Sequence, residues 1–239
     1  MLNSMLRFRL RSLQALRSAF AVLLFSLVAL TGFAQTAPPP ASVAQWTTEL
    51  RAFARQDSLK KPPIAAILFY GSSSIRMWET LATDFPNQPV LNRGFGGSRF
   101  PDAIQLFDQL VVRYRPRQVV LYEGDNDIAA GATPQEVYAS FRTFEKLMRR
   151  KLPKSQLVFL SIKPSLARWA LYPKMQEANN LIRQYIEAHP KRLRFVDVGA
   201  PMLGADGKPR PELFLEDGLH MTRAGYEIWT QAVLPVLAK

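Results

Sequence analysis

Short runs rich in apolar and β-branched residues, at 64–70, 90–91, 118–122, 157–162 and 193–198, alternate with longer stretches in which apolar residues return every three or four positions. This alternation is the strongest constraint on the fold. Successive strands separated by helical segments pair in parallel, because a parallel crossover needs the length of a helix, and right-handed crossovers lay those helices on the sheet faces. The expected fold class is therefore α/β, a three-layer α/β/α sandwich around a five-stranded, mostly parallel sheet. A first helix is predicted over 43–56, with Trp46, Leu50 and Phe53 on one face, before Pro62-Pro63 stops the chain. Pro101 opens another helix carrying Ile104, Phe107 and Val111. Thr133-Pro134-Gln135-Glu136 has capping-box chemistry with proline at the first helical position. Met175, Ala178, Ile182 and Tyr185 mark a further helix, and Tyr226, Trp229, Val233 and Leu237 the last.

In such sheets ligands bind beyond the carboxyl ends of the strands. The first apolar run ends abruptly in Gly71-Ser72-Ser73-Ser74, the way a buried strand delivers a hydroxyl to a sheet edge. A serine alcohol is a poor nucleophile until a base removes its proton and donors receive the charge on the substrate oxygen. The base is sought among two histidines. His189, in Glu187-Ala188-His189-Pro190, reads as a solvent-facing helix end. His220 closes Asp217-Gly218-Leu219-His220, a spacing at which one turn of chain can bring the carboxylate to the imidazole Nδ1 and leave Nε2 free for the serine. Taken alone, the pair is as compatible with a local hydrogen bond. Oxyanion donors have two candidates: the Asn126 amide in Gly124-Asp125-Asn126-Asp127, which taken alone reads equally as an asparagine stabilising its own turn, and the Gly97 N–H at the end of Gly94-Phe95-Gly96-Gly97. As a nucleotide fingerprint the glycine stretch fails, since Arg99 stands where the last glycine should be.

Composition restricts the alternatives. There are no cysteines, which excludes disulfides, thiol nucleophiles, thiolate metal sites and lipid attachment to a leader cysteine. Arg7, Arg9, Arg11 and Arg17 precede an acid-free apolar run from Ala19 to Phe33, the layout of a secretory signal peptide over 1–34 with cleavage expected after Ala34. The apolar run is shorter than the roughly 20 residues of a spanning helix, so no stable membrane span is expected after cleavage. A Pro-rich linker over 35–42 leads to a single domain over 43–239. Without the leader arginines 27 Lys and Arg face 19 Asp and Glu, a net charge of +8 that favours anionic surfaces or substrates. The densest basic run, Arg149-Arg150-Lys151, closes a predicted helix, where cations complement the dipole. No recognition motif accompanies it, so nucleic acid is not expected as a partner.

Gly71-Ser72-Ser73, Gly97, Gly124-x-Asn126-Asp127 and Asp217-x-x-His220, in this order and at these intervals, resemble the motifs of the SGNH/GDSL hydrolases. The resemblance extends over residues 64–226 and implies a flavodoxin-like sandwich with a serine esterase site. Carried over by position, Ser73 is the nucleophile and donates one oxyanion-hole N–H. Gly97 and Asn126 complete the hole, and Asp217 orients His220. The chain departs from the family's Gly-Asp-Ser at Ser72, which leaves the nucleophile open by one place among three serines; Ser72 and Ser74 read as turn and helix-start residues. The sequence also resembles the branch of platelet-activating-factor acetylhydrolase-like esterases, which act on small acyl groups.

The function expected is an exported, periplasmic or secreted esterase of the bacterial envelope, cleaving a short acyl ester, for example acetyl, from a small molecule, glycan or lipid, with no cofactor and no metal. One alternative is a carboxylate-based glycosidase using Glu123, Asp125 and Asp127, which an extended loop would place on a common side. Another is a glycan-binding protein on the same fold with an idle triad. Lys163, Arg168 and Trp169 follow the fourth run; they read equally as pocket lining and as loop surface, and are left outside the site.

Overall fold

The computed structural model describes residues 43–238; the signal peptide and linker expected over 1–42 lie outside them. A short 3-10 turn, Val43–Trp46, leads into α1 (Thr47–Leu59). Then come β1 (Ile67–Gly71), α2 (Ser73–Arg76), α3 (Leu81–Asp84), β2 (Val90–Gly94), α4 (Phe100–Gln105), α5 (Phe107–Leu110) and β3 (Gln118–Tyr122). The second half comprises α6 (Asp125–Ala129), α7 (Pro134–Lys151), β4 (Gln156–Leu160), α8 (Tyr172–Ala188), β5 (Leu193–Val196) and α9 (Arg223–Val233).

The five strands form one sheet in the order β2-β1-β3-β4-β5, every pair parallel. Side chains alternate across a strand, so the sheet supplies two cores. On one face Leu68, Tyr70, Val119, Leu121 and Phe159 pack with Phe107 of α5, Phe141 and Phe144 of α7 and Ile182 of α8. On the other, Ile67, Phe69, Val120, Tyr122 and Val158 pack with Ile75, Trp78, Trp229 and Val233 of the serine turn and α9. β1 and β3 are buried along their whole length, which is why both read as continuous apolar runs. This is the three-layer arrangement the alternation demanded. Among the described residues, no helix is long and apolar enough to cross a membrane.

Several local expectations are met. Trp46 is buried with Leu50 and Phe53 packed beside it. The capping box forms: the Thr133 hydroxyl accepts from the Glu136 N–H at 3.2 Å while the Glu136 carboxylate accepts from the Thr133 N–H at 2.8 Å. Arg149, Arg150 and Lys151 fall in the last turn of α7. Others differ. The helix expected after Pro101 is broken at Leu106 into α4 and α5. The final helix gives way at Leu234 to a 3-10 turn, leaving Leu237 beyond it, though still buried. A proline at 235 removes an amide donor from that turn.

Candidate active site

In the strand order the chain steps from β1 outward to β2, then returns across β1 to β3, and the crevice at that reversal lies beyond the ends of β1 and β3. The Ser72 N–H donates to the Tyr122 carbonyl at 3.1 Å, tying the serine turn to the end of β3. Gly71 makes this approach possible: at φ +131° and with a Cβ that would sit 2.0 Å from the Tyr122 oxygen, no other residue fits. The chain then enters α2, fixed from below by Tyr226, whose hydroxyl donates to the Ser74 carbonyl at 3.0 Å.

The three serines are distinguished by burial. Ser72 and Ser74 are 2% and 4% exposed, whereas Ser73 is half-buried and faces the histidine. Ser72 takes the helix N-cap position, but its hydroxyl makes no capping bond, so the capping contribution expected of that side chain is absent. His220 Nε2 lies 2.9 Å from Ser73 Oγ, and His220 Nδ1 lies 2.5 Å from Asp217 Oδ2. The other Asp217 oxygen accepts the Leu219 and His220 backbone N–H groups, each at 2.9 Å. The His220 hydrogen bond, followed by these amides, holds the Asp217 carboxyl down at about 2, so it is a carboxylate throughout the neutral range.

Asp217 and His220 share one tight turn. The Leu215 N–H donates to the His220 carbonyl and the Gly218 N–H to the Leu215 carbonyl, both at 2.8 Å, and Phe214 and Met221 form an antiparallel bridge around them. Lys163, fully buried, holds the same turn by donating to the Leu219 carbonyl at 2.7 Å, with its ammonium 5.5 Å from the Phe214 ring. Burial pulls its pKa down, opposed chiefly by Asp125.

Gly97 stands in an exposed loop at φ +71°, with open space where a side chain would project. Among the described residues, the Ser73 and Gly97 N–H groups have no hydrogen-bond partner. The loop is anchored on both sides. The Trp46 indole N–H donates to the Gly96 carbonyl at 2.8 Å, and Asn126 Nδ2 donates to the Ser98 carbonyl at 2.9 Å. The Ser98 hydroxyl donates to Glu123 Oε1 at 2.6 Å, and the Phe100 N–H donates to Asp127 at 3.1 Å.

Asn126 sits in the first turn of α6, and its amide orientation is set by two neighbours. Ser98 takes one N–H, while Arg168 Nη1 donates to Asn126 Oδ1 at 3.0 Å and to Asp125 Oδ1 at 2.6 Å. An amide whose oxygen faces a guanidinium must turn its nitrogen the other way. Arg168 is therefore part of the site's framework rather than loop surface. Its only sequence signal was a cation shortly after the fourth apolar run, which does not say whom it meets. Lys163 was set aside for the same reason. Trp169, by contrast, stacks on Tyr172 at 5.0 Å, away from these contacts. His189 ends α8 as expected, its Nδ1 donating to the Tyr185 carbonyl at 2.7 Å.

The acidic cluster does not form the open row an extended loop would give, because Asp125–Ala129 is helical. Glu123 is wholly buried, and its Oε2 has no hydrogen-bond partner among the described residues; burial, then Asp127, pushes its pKa well up. Burial raises Asp127 to about 7 against the amide of Phe100. These carboxyls brace the Gly97 loop from beneath. Among the described residues, no three His, Asp or Glu side chains are placed to hold a metal ion.

The chain belongs to the GDSL-like lipase/acylhydrolase family, whose model matches residues 69–228, from the strand that delivers Ser73 to the helix that follows His220. It is accordingly a carboxylic ester hydrolase. Solved structures share the fold at low identity. A protein from Streptococcus pneumonia named for platelet activating factor aligns with a TM-score of 0.71 at 20% identity, over 92% of this chain and 99% of its own. A GDSL-like lipase from Bacteroides thetaiotaomicron gives 0.65 at 21% identity over 78% and 95%. A catalytic mutant of an acetylxylan esterase from Geobacillus stearothermophilus gives 0.59 at 16% identity over 72% and 94%. A search of the curated proteins finds no match.

Proposed function

We propose that the chain is an exported serine esterase that removes a short acyl group, such as acetyl, through a Ser73-His220-Asp217 triad and an acyl-enzyme intermediate. The observation that carries this reading is the unbroken series of contacts from Ser73 Oγ to His220 Nε2 (2.9 Å) and from His220 Nδ1 to Asp217 (2.5 Å). His220 takes the Ser73 proton as Oγ attacks the ester carbonyl. The oxyanion is received by the Ser73 and Gly97 N–H groups and by the second N–H of Asn126 Nδ2, the one not given to Ser98. Collapse passes the His220 proton to the departing alcohol and leaves Ser73 acylated. Water, deprotonated by His220, then attacks the acyl carbon, releasing the carboxylic acid and returning the proton to Ser73. Asp217 stays ionised and stabilises the imidazolium.

Export is supported by the arginine-flanked apolar leader in 1–34, and an envelope glycan or lipid ester is the substrate class that location offers. The acetylxylan esterase on the same fold is consistent with acetyl as the group removed. Ser73→Ala and His220→Ala should each abolish hydrolysis of a nitrophenyl acetate, and a fluorophosphonate should label wild type stoichiometrically at Ser73. Unlabelled protein would point instead to a binding protein with an idle triad. Release of reducing sugar without acid would point to the carboxylates.

A further inference from the structure

The opposite end of the sheet, about 15 Å away along strands rising roughly 3.3 Å per residue, carries a second cavity. It lies where the chain enters β4 and β5, between α7 and α8, and has a volume of about 520 Å³. Arg142, Arg149, Lys191 and Arg192 line it, against the single carboxylate of Glu145. Glu145 is already engaged, 3.9 Å from Arg149 and accepting from the Tyr185 hydroxyl at 3.4 Å. Neither Lys191 nor Arg192 has an ion-pair partner among the described residues. The Arg142 guanidinium carbon lies 3.9 Å from the centre of the Tyr185 ring and its Nη1 donates to the Tyr138 hydroxyl at 3.1 Å, while the His189 ring lies 4.2 Å from that of Tyr185. The Arg142 Nε is buried without a hydrogen-bond partner among the described residues. The floor is apolar, formed by Met148, Leu152, Leu157 and Leu193.

A cationic rim above an apolar floor is matched by a ligand with one anionic group on a hydrocarbon body. An inorganic anion would leave the floor unused, and an uncharged hydrocarbon would leave several cations without a counter-charge. We propose that this cavity is a binding site for an amphipathic anion, separate from the triad and independent of the esterase reading. The chemistry is shared by free fatty carboxylates and by anionic lipid headgroups.

Titration calorimetry with decanoate and flotation with phosphatidylglycerol vesicles distinguish the two sources, with decanol as the uncharged control. Saturable binding in either arm, with decanol binding more weakly, supports the site, and the arm that binds names the source. Lys191→Ala/Arg192→Ala removes two exposed cations that no fold contact needs. It should weaken that binding about tenfold while leaving ester turnover and the melting temperature unchanged. No binding in either arm, decanol equal to decanoate, or unaltered affinity in the double variant would overturn the proposal.

Discussion

Arg168 offers the sharpest test of how the proposed oxyanion donor Asn126 is held. Replacing it by methionine keeps the unbranched stem of the side chain and removes both donated bonds. A hydrogen bond to a charged group contributes about 1.5–3 kcal/mol net. Arg168 divides one nitrogen between Asp125 at 2.6 Å and Asn126 at 3.0 Å, so the share acting on Asn126 belongs at the low end. About 1.4 kcal/mol is tenfold in rate, and kcat of Arg168→Met should therefore fall about tenfold with KM little changed. Asn126→Ala deletes the proposed donor itself and should lose about 10²–10³ in kcat. If Arg168 acts through Asn126, the double variant should match Asn126→Ala within about twofold, because coupled residues are not additive. The loss of a partner for Asp125, only 6% exposed, lowers stability as well, so rates are measured well below each variant's unfolding midpoint. A double variant slower than Asn126→Ala by the full Arg168→Met factor, or an effect of Arg168→Met on KM alone, would refute the positioning role.

Asp127 predicts a pH signature in stability. Its carboxyl is raised from 3.8 to about 7 in the folded protein, so the native state binds the extra proton between those values and loses stability as pH rises through them. The full effect is at most about 4 kcal/mol at 1.36 kcal/mol per pH unit. Asp127→Asn should shrink the fall in urea midpoint between pH 4 and 7.5, and a steeper fall in the variant would contradict it. Thr133→Ala breaks the capping box of α7 and should cost about 1 kcal/mol in urea unfolding, with esterase activity retained.

What the sequence disclosed and what it withheld divide along the range of the contacts. The Thr133-Glu136 box and the Asp217-His220 pair are three residues apart, so one turn of chain fixes them and spacing alone suffices. Ser73 meets His220 across 147 residues, yet it was legible because parallel strands deliver their ends to one edge. Arg168 and Lys163 were not. Their partners are an amide oxygen 42 positions away and a backbone carbonyl 56 positions away, and nothing local records either. The Glu123-Asp125-Asp127 alternation misled for a different reason. Period-two spacing implies a common side only in extended chain, and Gly124, at φ +109°, turns the backbone directly into α6.

The short turn that carries both Asp217 and His220 has a mechanical corollary. Because the two side chains are bonded within a loop closed by its own backbone and bridged at its base, displacement of that loop would move carboxylate and imidazole as one piece. The coordinate that such a motion changes is the gap to Ser73. A resting form of the enzyme would then keep the Nδ1 proton signal of a paired imidazole while its serine stood idle, so spectroscopy of the histidine and reactivity of the serine report separate events.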